Sequence, residues 1–374
     1  MPVLKQWPLK PESESFTTLL LDWFSLHGRT NLPWQNPRTP YAVWISEVML
    51  QQTQVKTVIP YFLNFLNRFP DIPSLAQASE DEVLAYWSGL GYYSRGRNLH
   101  KAAQVLLKHF KATLPSDLTA LMGLPGIGAS TAAAIASLAF NQPTAILDGN
   151  VKRVLSRFFM IDGLPQQAHT QKKLMHFANQ CMHQSRCADY TQAIMDLGAT
   201  VCTPKKPKCS LCPLQQHCQA YNNHVVENYP QKAIKKALPH KLQLFPLIYT
   251  EDGEIYLEKR PSKGIWGGLW CLPWLEIEDN PELYVQNQLG LTLIKNSIPL
   301  LNLKHTFTHF QLHIHACLIQ TLDSTDAKNN GRFFHHSTIH QLGLAKPTST
   351  LIECFLNGHV LRSEPQKLHL PDQL

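Results

Sequence analysis

Four cysteines, Cys202, Cys209, Cys212 and Cys218, fall within seventeen residues in the spacing C-x6-C-x2-C-x5-C. No other feature constrains folding so tightly, because whatever these thiols bind fixes the shape of one short loop. Thiolates bind soft or borderline metals, and four at short range can close a zinc tetrahedron or hold the iron corners of a cubane. A zinc ribbon usually carries two C-x-x-C pairs, and here only Cys209 and Cys212 form one. The wider spacing therefore favours a single 4Fe-4S cluster over zinc. A disulfide loop fits poorly: the total of nine cysteines is odd, and Cys181, Cys187, Cys271, Cys317 and Cys354 are scattered.

The formal charge of +7 over 374 residues leans weakly toward anionic partners. Its placement says more. From Val83 to Ile161 the only acids are Asp117 and Asp148, against Arg95, Arg97, Lys101, Lys108, Lys111, Lys152, Arg153 and Arg157. A solvated basic face would account for this equally well. The start of the chain, "MPVLKQWPLKPESES", lacks the apolar core of a signal peptide. The longest uncharged run, Leu118 to Leu147, is broken by "GLPGIG" and "NQP", so no membrane span is expected. The expected location is cytoplasmic, nucleoid-associated if the source is bacterial.

Up to about residue 220 the apolar pattern is helical. "SESFTTLLLDWFSLHG" has cap-type serines, an apolar stripe and a terminal Gly. "TPYAVWISEVMLQQTQVKTVIPYFLNFLNRF" predicts two helices with Pro60 near their junction. Residues 222–238 are polar, basic and proline-bearing, and read as a linker. Beyond them the period changes to two. "KLQLFPLIYT", the turn "EDG" and "EIYLEKR" predict a hairpin. "HTFTHFQLHIHACLIQ" alternates, with Phe310, Leu312, Ile314 and Ala316 on one face and His309, Gln311, His313 and His315 on the other. The histidines read as a solvent face rather than a metal site.

Three further stretches carry chemistry. In "LTALMGLPGIGASTAAAIASLAF" a short helix, a Gly-Leu-Pro-Gly-Ile-Gly turn and a small-residue helix follow one another. Gly126 and Gly128 let the backbone turn tightly with N–H groups exposed at a helix N-terminus, where a phosphate can sit. This is the helix-hairpin-helix pattern, although a plain packing corner shares it. Glu47 lies in the apolar helix "VWISEVMLQQT", where a raised pKa would suit a general acid; an ordinary surface glutamate is the alternative. Asp148, in "AILDGNVKR", stands where a helix N-cap would, which is compatible with catalysis.

Helix-hairpin-helix, a following Asp and the four-cysteine loop, in this order, resemble the 4Fe-4S DNA glycosylases of the endonuclease III superfamily. Within it, "WISEVMLQQTQV", "GLGYYSRGRNLHKAA" and "ILDGNVKRVLSR" resemble the MutY family of adenine DNA glycosylases, over nearly the whole chain. The resemblance implies an all-α N-terminal glycosylase region of two helical lobes, residues 1–221, with the cluster loop at 202–218. It also implies an α+β Nudix-like domain over 239–365 that reads 8-oxoguanine.

By the same resemblance the chain is a monomeric, monofunctional glycosylase of base excision repair. Its partner is duplex DNA carrying adenine opposite 8-oxoguanine or guanine, with the adenosine flipped into a pocket between the lobes. Glu47 would protonate the adenine, Asp148 would stabilise the oxocarbenium ion, and Asn150 would orient the water or the carboxylates. Gln52, Leu90 and Tyr92 match positions that fill or wedge the stack. Endonuclease III-like enzymes carry a Schiff-base lysine just after the hairpin, where this chain has Ser130. Phe307, Thr308 and His309 match the family's Phe-Ser-His loop, with threonine replacing serine. The stretch after "GLW" lacks the arginine and the glutamate cluster of a hydrolytic Nudix box, which leaves recognition only. The cluster is expected to be structural, with the lysines between Cys202 and Cys209 forming a basic finger toward phosphates.

Overall fold

The computed structural model describes residues 11–233, 237–322, 324 and 331–358, with side chains from residue 15. The first ten residues, part of the expected linker (234–236) and the end of the expected second domain beyond 358 lie outside them. The chain divides into two compact units. One comprises Met1–Gln77 and Asn98–Lys235, the other Ala78–Arg97 and Lys236–Leu374. In this division residues 78–97 group with the C-terminal fold.

The first unit is helical. Its helices are α1 (Pro11–His27), α2 (Pro40–Leu50), α3 (Val55–Arg68) and α4 (Ile72–Gln77). After α5 (Glu80–Trp87), which lies in the other unit, come α6 (Ser94–His109), α7 (Leu118–Met122), α8 (Ala129–Phe140), α9 (Gly149–Phe158), α10 (Ala168–Cys181) and α11 (Cys187–Thr200). Thr39 opens α2: its hydroxyl accepts the Ala42 N–H at 3.1 Å, and Pro40 occupies the first turn, where no N–H is needed. The helix ends where Gln52 turns left-handed, with φ of 59°. Pro60 therefore lies inside α3 and does not mark the junction. The break is made by Gln52, and the proline ring takes an exposed position that tolerates one lost backbone bond.

Helix α8 is rich in alanine, and residues 132–138 are all buried. Small side chains let α2 and α11 approach it from both sides. Its buried Ser137 is satisfied by Thr191 Oγ1 at 2.7 Å and by the Cys187 carbonyl at 3.0 Å. Phe16 and Leu20 of α1, Leu155 and Phe158 of α9, Leu174 of α10 and Leu197 of α11 form the core. The rings of Phe16 and Phe158 meet edge-on at 4.8 Å.

The second unit is a mixed sheet of β1 (His240–Tyr249), β2 (Glu254–Lys259), β3 (Trp270–Cys271), β4 (Ile298–Thr306), β5 (Gln311–Gln320) and β6 (Gly331–His335). The order is β3-β2-β1-β5-β4, with β6 also pairing β2. The expected hairpin forms, β1 and β2 running antiparallel around Gly253, whose φ is 80°. The alternation of β5 holds as well: Leu312, Ile314 and Ala316 are buried, while Gln311, His313 and His315 are half-buried. Strands β1 and β5 pair in parallel over their full length. Together the helical region and the α+β region have the expected fold class. Among the described residues, no helix is long and apolar enough to cross a membrane.

Candidate active site and cysteine loop

A cavity of about 770 Å³ opens in the first unit. The end of α2, the turn after it, and the N-terminal turns of α8 and α9 line it, together with α11. Glu47, Gln52, Ser130, Asp148 and Asn150 all contribute to its wall. Five residues from three separate stretches of sequence thus share one cavity, within the size range that encloses a small ligand.

The two carboxyls differ in environment. Burial, and then the charge of nearby Asp148, push Glu47 up to about 7. Burial raises Asp148 also, but four groups oppose it. Asp148 caps α9, its Oδ1 accepting the Val151 N–H at 2.7 Å and its Oδ2 the Asn150 side-chain amide at 3.2 Å. The Arg153 charge and the Asn150 backbone act in the same direction. Burial thus raises both carboxyls, and only Asp148 is met by groups that favour its charged form.

Residues outside the sequence expectations hold Asn150 in place. Arg153 donates from Nη2 to Asn150 Oδ1 at 2.8 Å and to the Gly198 carbonyl at 2.6 Å, and from Nε to the Cys202 carbonyl at 2.7 Å. Gly198 has no room for a side chain: a Cβ there would lie 2.6 Å from Asn150 Cβ. On the same wall, buried Asp196 accepts from Arg29 through the backbone N–H at 2.7 Å, Nε at 2.9 Å and Nη2 at 2.6 Å. Gln192 donates to it at 2.8 Å. The signals were present in "NVKR" and "MDLGATVC", but only contacts across 45 and 167 residues give them meaning.

The four clustered cysteines are free of disulfides and line a second cavity with Val154, Arg157, Leu197 and Leu214. Among the described residues no three His, Cys, Asp or Glu side chains come close enough for a single metal ion. Four thiols lining one cavity are the donor set that an iron-sulfur cubane takes. Arg157 Nη1 donates to Cys202 Sγ at 3.3 Å, and the backbone N–H groups of Leu214, Ala220 and Tyr221 hydrogen-bond to the Cys212 and Cys218 sulfurs. Burial pushes the bare Cys212 thiol up to about 12, so the donors and bound iron together would keep the sulfurs as thiolates.

In the hairpin turn Gly126 has φ of 78°, and a Cβ there would lie 2.7 Å from Asn98 Cβ. Gly128 caps α8 and, with Ser130, is exposed. Leu90 and Tyr92 belong to the second unit, Leu90 being 5% exposed and Tyr92 47%. Phe307 stacks on Phe310 at 4.6 Å between β4 and β5, and Thr308 and His309 are exposed at the tip of that turn.

Residues 45–180 match the HhH-GPD superfamily of base excision DNA repair proteins, 202–218 the iron-sulfur binding domain of endonuclease III, and 245–354 the NUDIX domain. Adenine DNA glycosylase of Buchnera aphidicola from Schizaphis graminum is 39% identical over 344 residues, covering 91% of this chain and 98% of that one. The chain belongs to the adenine DNA glycosylases. Within that family the Homo sapiens enzyme is 34% identical and covers 80% of this chain and 66% of its own. A thermostable thymine-DNA glycosylase of known structure shares the fold, with a TM-score of 0.52 at 26% identity over 57% of this chain and 97% of its own. Membership makes the chain a base excision repair enzyme acting on DNA, and the cysteine loop carries the family's 4Fe-4S cluster.

Proposed function

We propose that this adenine DNA glycosylase hydrolyses the N-glycosidic bond of adenine mispaired with 8-oxoguanine or guanine, without lyase chemistry. The observation that carries the mechanism is the pair of unlike carboxyls, Glu47 and Asp148, in one cavity with room for a flipped nucleotide. Glu47 donates its proton to the adenine ring, and the C1′–N9 bond breaks with the electron pair leaving on the base. The deoxyribose takes on oxocarbenium character, which the Asp148 carboxylate stabilises by charge. Water then adds to C1′, and its proton passes to a carboxylate, restoring Glu47. Asn150 positions Asp148 by the 3.2 Å hydrogen bond and is itself held by Arg153. At Ser130 a hydroxyl stands in place of an amine, so no Schiff base forms there.

The catalytic work belongs to residues 1–221 and the reading of the opposing base to 239–365, joined by 222–238. Gly126 and Gly128 meet a phosphate, Gln52, Leu90 and Tyr92 serve the stack, and Phe307, Thr308 and His309 contact 8-oxoguanine. The chain acts as a cytoplasmic monomer.

The test is single-turnover excision from duplexes with adenine opposite 8-oxoguanine, adenine opposite guanine, and thymine opposite guanine. Adenine release, fastest opposite 8-oxoguanine, is expected, with the sugar left uncleaved. Thymine release in its place, or equal rates on the two adenine duplexes, overturns the reading. Loss of discrimination is expected in the Thr308→Ala/His309→Ala double variant.

A further inference from the structure

We propose that the C-terminal fold positions the Tyr92 turn, so that discrimination of the base opposite adenine depends on contacts between residues 78–97 and strand β3 with its neighbours. This deepens the proposed function and rests on it. The glycosylase match spans 45–180 without interruption, yet residues 78–97 are packed as part of the sheet unit.

Three polar contacts and one packing contact make the attachment. Asp81 in the first turn of α5 accepts from Lys259 Nζ of β2 at 2.5 Å. Ser88, just after α5, donates to the Leu344 carbonyl at 3.1 Å. Arg97 Nη1 donates to the Gly267 carbonyl. Between them, Leu84 of α5 lies so close to Gly343 that a Cβ there would sit 2.8 Å from Leu84 Cβ. All four partners in the C-terminal fold converge on Trp270. Lys259 pairs with Trp270 in the sheet, and the Lys259 ammonium lies 5.6 Å from the Trp270 ring centre. Trp270 donates its N–H to the Gly343 carbonyl at 2.9 Å and accepts at its own carbonyl from Ala345 at 3.2 Å. Gly267 lies three residues earlier in the chain.

The turn held by this attachment is braced by its own contacts. Gly89, Gly91 and Tyr92 all take positive φ, 91°, 78° and 49°. The Gly91 carbonyl accepts from Trp87 Nε1 at 3.2 Å and from Arg95 Nη2 at 3.0 Å. The Arg95 guanidinium stacks over both Trp87, at 5.5 Å, and Tyr92, at 5.4 Å. An exposed aromatic on a stiff turn is suited to stacking against bases, because little freedom is lost on insertion. With the turn braced by Trp87 and Arg95, its attitude follows its base, and its base is bonded to the fold that carries Thr308 and His309. Asp81, Ser88, Arg97 and Lys259 are therefore positioning residues.

The test uses the full chain with its cluster. Asp81→Asn, Lys259→Gln and their double variant are compared in single-turnover excision, with 2-aminopurine placed beside the mispair to report stacking. The expected result is a fall of about tenfold in the ratio of rates opposite 8-oxoguanine and guanine. The rate opposite guanine stays unchanged, the 2-aminopurine signal is altered, and the double variant is no worse than either single. Gly343→Ala, which pushes on Leu84 and removes no polar contact, is expected to lower the ratio in the same way. An unchanged ratio and unchanged fluorescence in all four variants, with Thr308→Ala/His309→Ala still lowering the ratio, overturns this proposal alone. If the loop variant also leaves the ratio unchanged, the reading of the C-terminal fold as the lesion reader fails with it.

Discussion

Replacing Glu47 by Gln keeps size and removes the proton that the proposed mechanism needs. Burial and the Asp148 charge raise the Glu47 carboxyl from 4.5 to about 7. At about 1.4 kcal/mol per pH unit, that rise corresponds to on the order of 3 kcal/mol of preference of the folded protein for the protonated form. Because the folded value is the higher one, this contribution is fully present below about pH 4.5 and is lost as pH rises through about 7. A glutamine pays no such penalty. Glu47→Gln is therefore expected to gain stability over the wild type as pH rises from about 5 to about 8, approaching on the order of 3 kcal/mol. Catalysis moves the other way. With the group half-protonated near pH 7, excision by the wild type is expected to drop about tenfold from pH 6 to pH 8. Glu47→Gln is expected to be slower by roughly 10²–10⁴-fold and flat across that range.

The assay is single-turnover release of adenine at fixed ionic strength between pH 5.5 and 8.5, paired with urea unfolding at the same pH values. Duplex affinity, measured alongside, is expected to be unchanged, since no phosphate contact is lost. A Gln variant that keeps the falling alkaline limb would show that the limb belongs to another group. A wild type whose rate is level through pH 7 would show that Glu47 is not the acid.

Gly198→Ala places a methyl group 2.6 Å from Asn150 Cβ; displacement of the first turn of α9 is expected to slow excision at least tenfold with duplex affinity preserved, read by single-turnover kinetics and a binding titration. Asp196→Asn removes the buried charge that pairs with the partly exposed Arg29 guanidinium, and a loss of about 1–3 kcal/mol is expected in denaturant unfolding. Purified protein is expected to hold about four irons per chain by colorimetric assay. Arg157→Met, which removes the donors to Cys202 Sγ and to the Thr203 carbonyl, is expected to lower that iron content on exposure to chelator.

What the sequence made legible was local or periodic. The cysteine spacing, the Gly-rich turn between α7 and α8, the hairpin at Gly253 and the alternation along β5 each declare themselves within about twenty residues. The attachment of 78–97 to the C-terminal fold was hidden because Asp81 and Lys259 are 178 residues apart, and neither is unusual in its own neighbourhood. The parallel pairing of β1 with β5 was hidden for the same reason. Arg153 looked like one more member of a basic window, yet it is 8% exposed and spends its donors inside the protein. Charge counting along a sequence cannot separate a buried arginine that braces backbone carbonyls from one that meets a phosphate.

The two carboxyls show how position on a helix biases ionisation. Both are largely buried, so desolvation alone would raise both. Asp148 sits at the N-cap of α9, where unpaired N–H groups and the positive end of the helix dipole favour its charged form. Glu47 sits three residues from the end of α2 at Leu50, where the negative end of the dipole works against a charge. The Asp148 charge, stabilised by α9, then adds to the cost of ionising Glu47. The helix termini thus act on the pair in opposite senses, and the neighbouring charge widens the separation. The capping role of Asp148 and its proposed catalytic one are therefore compatible: the N–H groups that the cap satisfies favour the charged carboxylate against burial. Moving the acid one turn toward the start of α2 would weaken that opposing field.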